Sequence, residues 1–280
     1  MEAPATVRLP GGALVGGRRC GAALVRSLNG SDEAFLAEAG SAMLPAPRAT
    51  ELLARLVLRL GHRQPGIDAL RALSVGDREA LLLNVLRLSV GARLDCCVDC
   101  PVCGERLDLD CDLHQVLLTP YERWQPTYEE SVATDDGRWR VSFRLPTGTD
   151  QEEIAQLALA DTARAVAELL RRCLLDLDPD VDAGEPPASL ADAISRRMAE
   201  LDPQAEVELT STCPGCGTAI VAPFDALDFL TRMAAGGRAA LIGEVDLLAR
   251  AYHWSEDQIL AVPRERRREY VEAALGTATA

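Results

Sequence analysis

Hydrophobic periodicity divides the chain into helical stretches interrupted by strand-like islands. Over 49–60, Leu52, Leu53, Leu56, Val57 and Leu60 recur on one helical face. A second helix, over 77–89, follows Asp77 as a candidate N-cap and is leucine-rich almost all round, which predicts a central position. Ahead of these, residues 1–31 read as extended, with apparent turns at Gly11-Gly12 and Asn29-Gly30. From 92 the pattern becomes short strands around cysteine pairs. Residues 119–136 read as an acidic loop. Asp136-Gly137 then turns into a strand in which Trp139, Val141, Phe143 and Leu145 alternate with Arg138, Arg140, Ser142 and Arg144. Thr149 with Glu152 has capping-box form and opens a helix whose stripe is Ile154, Leu157, Ala158, Val166, Leu169, Leu170 and Cys173. An acidic, proline-rich linker follows over 176–187, then a helix over 189–201 and a second strand–cysteine–strand unit over 205–222. Helices are predicted over 225–235, 239–252, from Ser255, and over 263–275 with Pro263 at its first position.

The predicted fold class is α+β: mostly helical, with a discontinuous four-cysteine zinc ribbon made of two hairpins and a helical C-terminal segment. The chain divides into an extended segment plus helices (1–91), a first hairpin (92–118), an inserted strand and helices (119–204), a second hairpin (205–222) and the C-terminal helices (223–280).

Composition narrows the function. A length of 280 residues suits one large domain or two small units. With 48% apolar but only 4% aromatic residues, Leu, Val and Ala must fill the core. No apolar run approaches the ~18 residues of a membrane span, and the first residues lack the basic-then-apolar form of a secretory leader. The 29 basic residues, all Arg, face 43 acidic ones, and the net charge of −14 opposes a dedicated nucleic-acid binder. Nine cysteines, an odd number in a chain of this size, argue against a disulfide scaffold and for metal-bound thiolates in a reducing cytoplasm.

The strongest motif is duplicated: Cys100-Pro-Val-Cys103-Gly104 and Cys213-Pro-Gly-Cys216-Gly217. Two-residue spacing lets both thiolates of a knuckle point at one ion, and the glycine after the second cysteine suits a left-handed turn. The strand flanks match as well, pairing Leu94 with Val207, Cys96 with Leu209 and Leu107 with Ile220. Cys100, Cys103, Cys213 and Cys216 are therefore the candidate ligands of one structural zinc, a staple across about a hundred intervening residues. Cys97 and Cys100 also form a CxxC, but only the Cys100/Cys103 frame repeats the Pro and Gly of the other knuckle. A redox CxxC is the competing reading, though such a motif would not be duplicated in this way. Cys96, Cys97 and Cys111 read as strand residues or spare thiols, and Cys20 and Cys173 as packing residues. Four thiolates leave no open position for water, so no catalytic role is expected for the metal. No phosphate-binding glycine loop and no nucleophile motif is present, and the chain reads as neither an enzyme nor a small-molecule binder.

The last stretch contains a Trp254-anchored turn, a Ser255/Gln258 capping box and an arginine-rich helix. One reading is helical closure of the domain. The other is a docking surface in which Tyr252, Trp254 and Tyr270 lie beside Arg264, Arg266, Arg267 and Arg268, facing an acidic partner. This tail resembles a family of contractile-phage tail proteins. So do the LNGSDE stretch beginning at Leu28, the GDREALLL run at Gly76, the CPxCGE knuckle and the DPQAEVELTSTCPGCG segment with its following FD and FL pairs. The chain, over about residues 6–275, is similar to the T-even-type phage baseplate hub assembly (chaperone) family, in the branch associated with extracellular contractile injection systems. The resemblance implies a non-enzymatic role in assembling a baseplate or hub, with baseplate or hub proteins as partners, and Tyr252, Trp254, Arg267, Arg268 and Tyr270 as candidate contact residues. A zinc-ribbon regulator of nucleic acid or the transcription machinery is the alternative.

Overall fold

In the computed structural model, which describes residues 4–179 and 186–278, the chain opens on a hairpin. Strands β1 (Ala5–Val15) and β2 (Arg18–Val25) pair antiparallel across Gly16-Gly17. Both glycines have positive φ, 60° and 78°, as a two-residue turn matched to strand twist requires. Gly11-Gly12, read from sequence as a turn, instead lies inside β1. There the register shifts between Arg8 and Ala13, and Gly12 takes φ 89°, so the pair forms a bulge.

Asn29 does not simply turn the chain. It caps α1 (Gly30–Ala42) in a reciprocal capping box with Asp32. Helix α2 (Pro45–Leu56) buries Leu52, Leu53 and Leu56 but stops short of the predicted residue 60. Val57–Leu60 becomes β3, completing the sheet order β1-β2-β3. Val57 and Leu60 are buried in this arrangement as they would be on a helix, so the apolar pattern does not separate the two. The open edge of β2 decides, because pairing supplies tertiary contacts that outweigh a weak local propensity.

After the short α3 (Ile67–Arg71) comes the central helix, α4 (Val75–Val90), buried on almost every side as its leucines predict. Its N-cap is Ser74; Asp77 stands in the first turn and donates its N–H to Ser74 Oγ. The sequence Gly76-Asp77-Arg78-Glu79 ties five parts of the chain to this helix start. Gly76 N–H donates to Asp202 Oδ2 at 2.9 Å, and a Cβ at Gly76 would collide with that carboxylate. Asp77 accepts from Gly11 N–H in the β1 bulge at 2.8 Å. Arg78 donates to the carbonyls of Leu70 and Ala46 and to Thr50 Oγ1. Glu79 accepts from Ala226 N–H.

Asp77 is fully buried, and its Oδ2 has no hydrogen-bond partner. Burial pushes its carboxyl up to about 7, the nearby Asp202 pushes in the same direction, and the amides of Gly11 and Gly12 and the charge of Arg19 oppose. A carboxyl raised in the folded state from 3.8 contributes stability below pH 4 that is lost as pH rises through 7. Asp77→Asn keeps the shape and removes the titration. Its stability relative to wild type should therefore rise between pH 4 and pH 8, by on the order of 1–3 kcal/mol. Denaturation midpoints at the two pH values check this, and an equal difference at both contradicts it.

Next comes a hairpin of β4 (Arg93–Asp99) and β5 (Arg106–Asp112), then a short α5 (Leu113–Val116). The stretch read as an acidic loop contains a strand, β6 (Tyr128–Thr134), whose Tyr128 ring stacks on Phe143 at 5.6 Å. Its acidic pair Glu129-Glu130 hides the alternation, and its partner β7 (Gly137–Phe143), the clearest strand in the sequence, draws it into a ladder. Helix α6 (Gly148–Ala160) is capped by Thr147 with Asp150, not by Thr149 with Glu152. Asp150 is clamped by both Arg144 (2.6 and 2.9 Å) and Arg172 (3.1 Å).

The single predicted helix breaks at Asp161, which ends α6 and caps α7 (Thr162–Cys173). The break rotates the intended stripe, so Ala158 and Val166 are exposed while Leu170 and Cys173 are buried. Residues 174–178, partly assigned to a linker, form β8 (Leu174–Asp178) on β7; of that predicted linker, 180–185 lie outside the described residues. The sheet β6-β7-β8 packs with α7 and α8 (Ala188–Leu201) around a second core of Val141, Phe143, Leu170, Leu190 and Ile194.

A single turn of 3-10 helix, Pro203–Ala205, leads into the second cysteine hairpin, β9 (Glu208–Thr212) and β10 (Ala219–Pro223). Helix α9 (Ala226–Tyr252) then runs unbroken through Gly236-Gly237, where two helices were predicted. A glycine costs about 1 kcal/mol in a helix interior. Burial of Leu227, Leu230, Thr231 and Ala234 on one side of the pair, and of Leu241 and Leu248 on the other, holds the helix across it. Helices α10 (Glu256–Leu260) and α11 (Arg264–Ala278) fold back on α9 around Leu248, Ile259 and Ala274. The main core joins β1, β2, α2, α4, the roots of both cysteine hairpins and the first half of α9.

Candidate metal centre

The two knuckles have the same backbone construction. In the first, Cys100 N–H donates to Glu105 O at 2.8 Å and Gly104 N–H to Cys100 O at 2.9 Å. In the second, Cys213 N–H donates to Thr218 O and Gly217 N–H to Cys213 O, both at 2.9 Å. Gly104 and Gly217 take φ of 74° and 72°, the left-handed region that a side chain would strain. The knuckles differ at one position. Val102 in the first is exposed, whereas a Cβ on Gly215 in the second would collide with the Glu105 carboxylate.

The knuckles meet. Cys100 Sγ lies 3.6 Å from Cys216 Sγ, and Cys103 Sγ lies 3.5 Å from Cys213 Sγ. All four sulfurs fall within 4.8 Å of one another, and none is in a disulfide. Four thiolates held about 2.3 Å from a central zinc stand about 3.8 Å apart, so the spacing and the soft donor set fit one tetrahedral ion. Cys100 and Cys213 are buried and Cys103 and Cys216 exposed, so each knuckle offers one inner and one outer thiol. Leu107 and Ile220, one from each hairpin, are buried beneath the cluster with Val98 and Leu109 beside them.

The other cysteines lie elsewhere. Cys97 is exposed, with Sγ 3.1 Å from Asp108 Oδ1. Cys111 is buried in the main core, where burial pushes its thiol up to about 11, and Cys96 packs beside that core. Cys173 is buried in the second core and pushed to about 12 by burial. Cys20 is half-buried against Gly61.

The tail arginines are not one exposed patch. Arg267, predicted to face a partner, is 1% exposed. It donates to Glu33 on α1 at 2.7 Å, to Glu244 on α9 at 2.6 Å and to Val262 O at 3.1 Å. Two carboxylates from distant segments neutralise it inside the fold, so it locks α11 down. Arg264 is half-buried and lies 3.9 Å from Glu33, Arg266 lies over the Tyr270 ring at 5.8 Å, and Arg268 is exposed. Tyr252, Trp254 and Tyr270 are half-buried and pack on one another with ring centroids 4.9–5.8 Å apart. Nothing local in the sequence pairs Glu33 or Glu244 with Arg267. The ties made by Gly76-Asp77-Arg78-Glu79 carry one sequence signal, a run of charges at the start of a helix that is apolar all round.

Among the described residues, no helix is long and apolar enough to cross a membrane. Residues 52–177 match the family model described as T4 bacteriophage base plate protein. The match covers less than half of the chain. It takes in the central helix and the first knuckle and ends before Cys213, Cys216 and the tail. No curated protein and no solved structure matches the chain. The family match supports a baseplate association in general terms, and the four-cysteine cluster is able to coordinate a metal ion.

Proposed function

We propose that this protein is an assembly factor, or a baseplate- or hub-associated component, of a phage-tail-like contractile injection system, acting in the cytoplasm and stapled by one structural zinc. The observation that carries this reading is the baseplate family match over 52–177, within which the first knuckle lies. Zinc held by Cys100, Cys103, Cys213 and Cys216 would complete a zinc ribbon from two hairpins far apart in sequence, so the metal would join the matched segment to the C-terminal part. Its role is to hold the fold, since four thiolates fill its shell. Baseplate or hub proteins are the partners. In the tail, Arg266 and Arg268 remain available to an acidic partner, with Trp254 and its two tyrosines as the apolar support.

Deleting the gene in cells that make the particle tests this reading. Electron microscopy should show few or no complete contractile particles, with recovery when the wild-type chain is restored. Normal particle yield in the deletion strain refutes it. Restoration with an Arg266→Glu/Arg268→Glu chain examines the tail separately: docking there predicts a folded protein that fails to restore particles.

The competing regulator reading predicts nucleic-acid affinity. A net charge of −14 gives phosphates no broad cationic face. In about 0.15 M salt, binding to random duplex DNA should be no tighter than ~100 μM, the weak end of non-specific binding. Filter binding or fluorescence anisotropy checks this, and a salt-sensitive, sub-micromolar complex contradicts it.

A further inference from the structure

We propose that the groove between the outer edges of β5 and β9 receives an extended, cationic segment of a partner protein, one carrying Lys or Arg at alternate positions. The two cysteine hairpins are separate two-stranded sheets, β4-β5 and β10-β9. Among the described residues, β5 and β9 therefore each carry an edge with no strand paired to it. Residues of both strands line one groove of about 600 Å³, to which Pro203 and Gln204 also contribute. An unpaired edge is a template for main-chain pairing, and alternating side chains then set which segment fits.

Alternation fixes the charge of this groove. On β5, Leu107 and Cys111 are buried and Leu109 packs beside them, which leaves Asp108, Asp110 and Asp112 on the opposite side. On β9, Leu209 packs against the core and Glu208 stands outward, with Glu206 just ahead of the strand. Five carboxylates line the groove and no arginine does. One of them is already in conflict, because Asp110 sits directly opposite Asp95 in the β4–β5 register. Like charges so placed destabilise a sheet, and the exposed Arg93–Asp110 pair at 3.5 Å offsets little of this. A cationic side chain from a partner would relieve it.

Natural edges are commonly protected by Lys or Pro, and neither β5 nor β9 contains either. Carboxylates instead repel a second copy of the same edge and attract an opposite charge, so the groove selects a different, basic chain. This inference deepens the assembly reading by naming the chemistry of one partner. Its test uses a synthetic probe, so its failure would remove the groove and leave that reading to the particle assay.

The probe is a fluorescein-labelled ten-residue peptide alternating Arg and Thr, with a Glu/Thr peptide as counterpart, titrated into the full-length, zinc-loaded protein. The Arg/Thr peptide is expected to bind and the Glu/Thr peptide not to bind. Binding should slow hydrogen exchange at 108–112 and 208–211. The variant Asp108→Asn/Asp110→Asn/Glu208→Gln leaves intact Asp112, whose side chain caps α5 by accepting from His114 N–H, and zinc content and circular dichroism confirm its fold. It should weaken binding about tenfold, as expected for three surface charge pairs lost together. Absence of binding, equal binding by the variant, or protection confined to other segments overturns the proposal. Self-association of the wild type that the variant abolishes also overturns it, in favour of a second copy as the occupant.

Discussion

A Cys213→Ser chain is expected to lose its zinc. The Cys213 sulfur is buried and lies 3.5 Å from Cys103 Sγ across the two hairpins, so its removal leaves three ligands and opens the inner side of the site. Structural zinc is worth ~10–16 kcal/mol apparent in small finger peptides, and here only part of the fold depends on it. The expected destabilisation is on the order of 5 kcal/mol or more, with the fastest hydrogen exchange in β4, β5, β9 and β10. Elemental analysis should give one zinc per wild-type chain and close to none in the variant. A Cys97→Ser chain should keep its metal, because that thiol lies beside Asp108 and outside the cluster. Stoichiometric zinc in Cys213→Ser, or metal loss in Cys97→Ser, would contradict the ligand set.

The second large effect is expected at Arg267. Replacing it with Met keeps much of the side-chain volume but leaves Glu244 without its cation and Glu33 with only Arg264 at 3.9 Å, and Glu33 Oε1 already has no hydrogen-bond partner. Breaking a buried pair by removing one partner typically costs about 3–5 kcal/mol, because a charge stays behind in low dielectric. Thermal or denaturant unfolding of Arg267→Met should show a loss of that size, with α11 detached. Arg268→Met, at an exposed position on the same helix, should stay within about 0.5 kcal/mol of wild type. If the two substitutions behave alike, α11 is not held by the Glu33–Arg267–Glu244 lock. The same contrast explains why an Arg267 substitution is a poor probe of docking: it unfastens the tail before any partner arrives.

These two sites differ in how far the sequence reveals them. The knuckles are legible because everything that builds them is local: two cysteines at fixed spacing, a glycine for the turn, and short strands on each side. Their duplication even pairs the halves across a hundred residues. The Arg267 lock is not legible, because Glu33, Glu244 and Arg267 come from three helices and obey no local rule. Runs of arginine at helical spacing look solvent-facing until tertiary structure brings carboxylates to one of them.

The fold divides in the same way. The leucine-rich α4 and the alternating β7 are read directly from periodicity. β3 is missed because Leu56, Val57 and Leu60 suit a helix as well as a strand, and only the waiting edge of β2 decides. The break at Asp161 and the continuity through Gly236-Gly237 invert local propensity in opposite directions. A residue able to cap both helices ends one early, and buried side chains on either side of a glycine pair carry the other through.

The proposed role is that this chain acts on the baseplate or hub of a contractile tail. Affinity purification of the full-length, zinc-loaded protein from cells producing the particle, followed by mass spectrometry, is the decisive measurement. Baseplate or hub proteins are expected to co-purify in near-stoichiometric amounts. Recovery of transcription proteins or nucleic acid instead, with no tail component above the level of an untagged control, would contradict it.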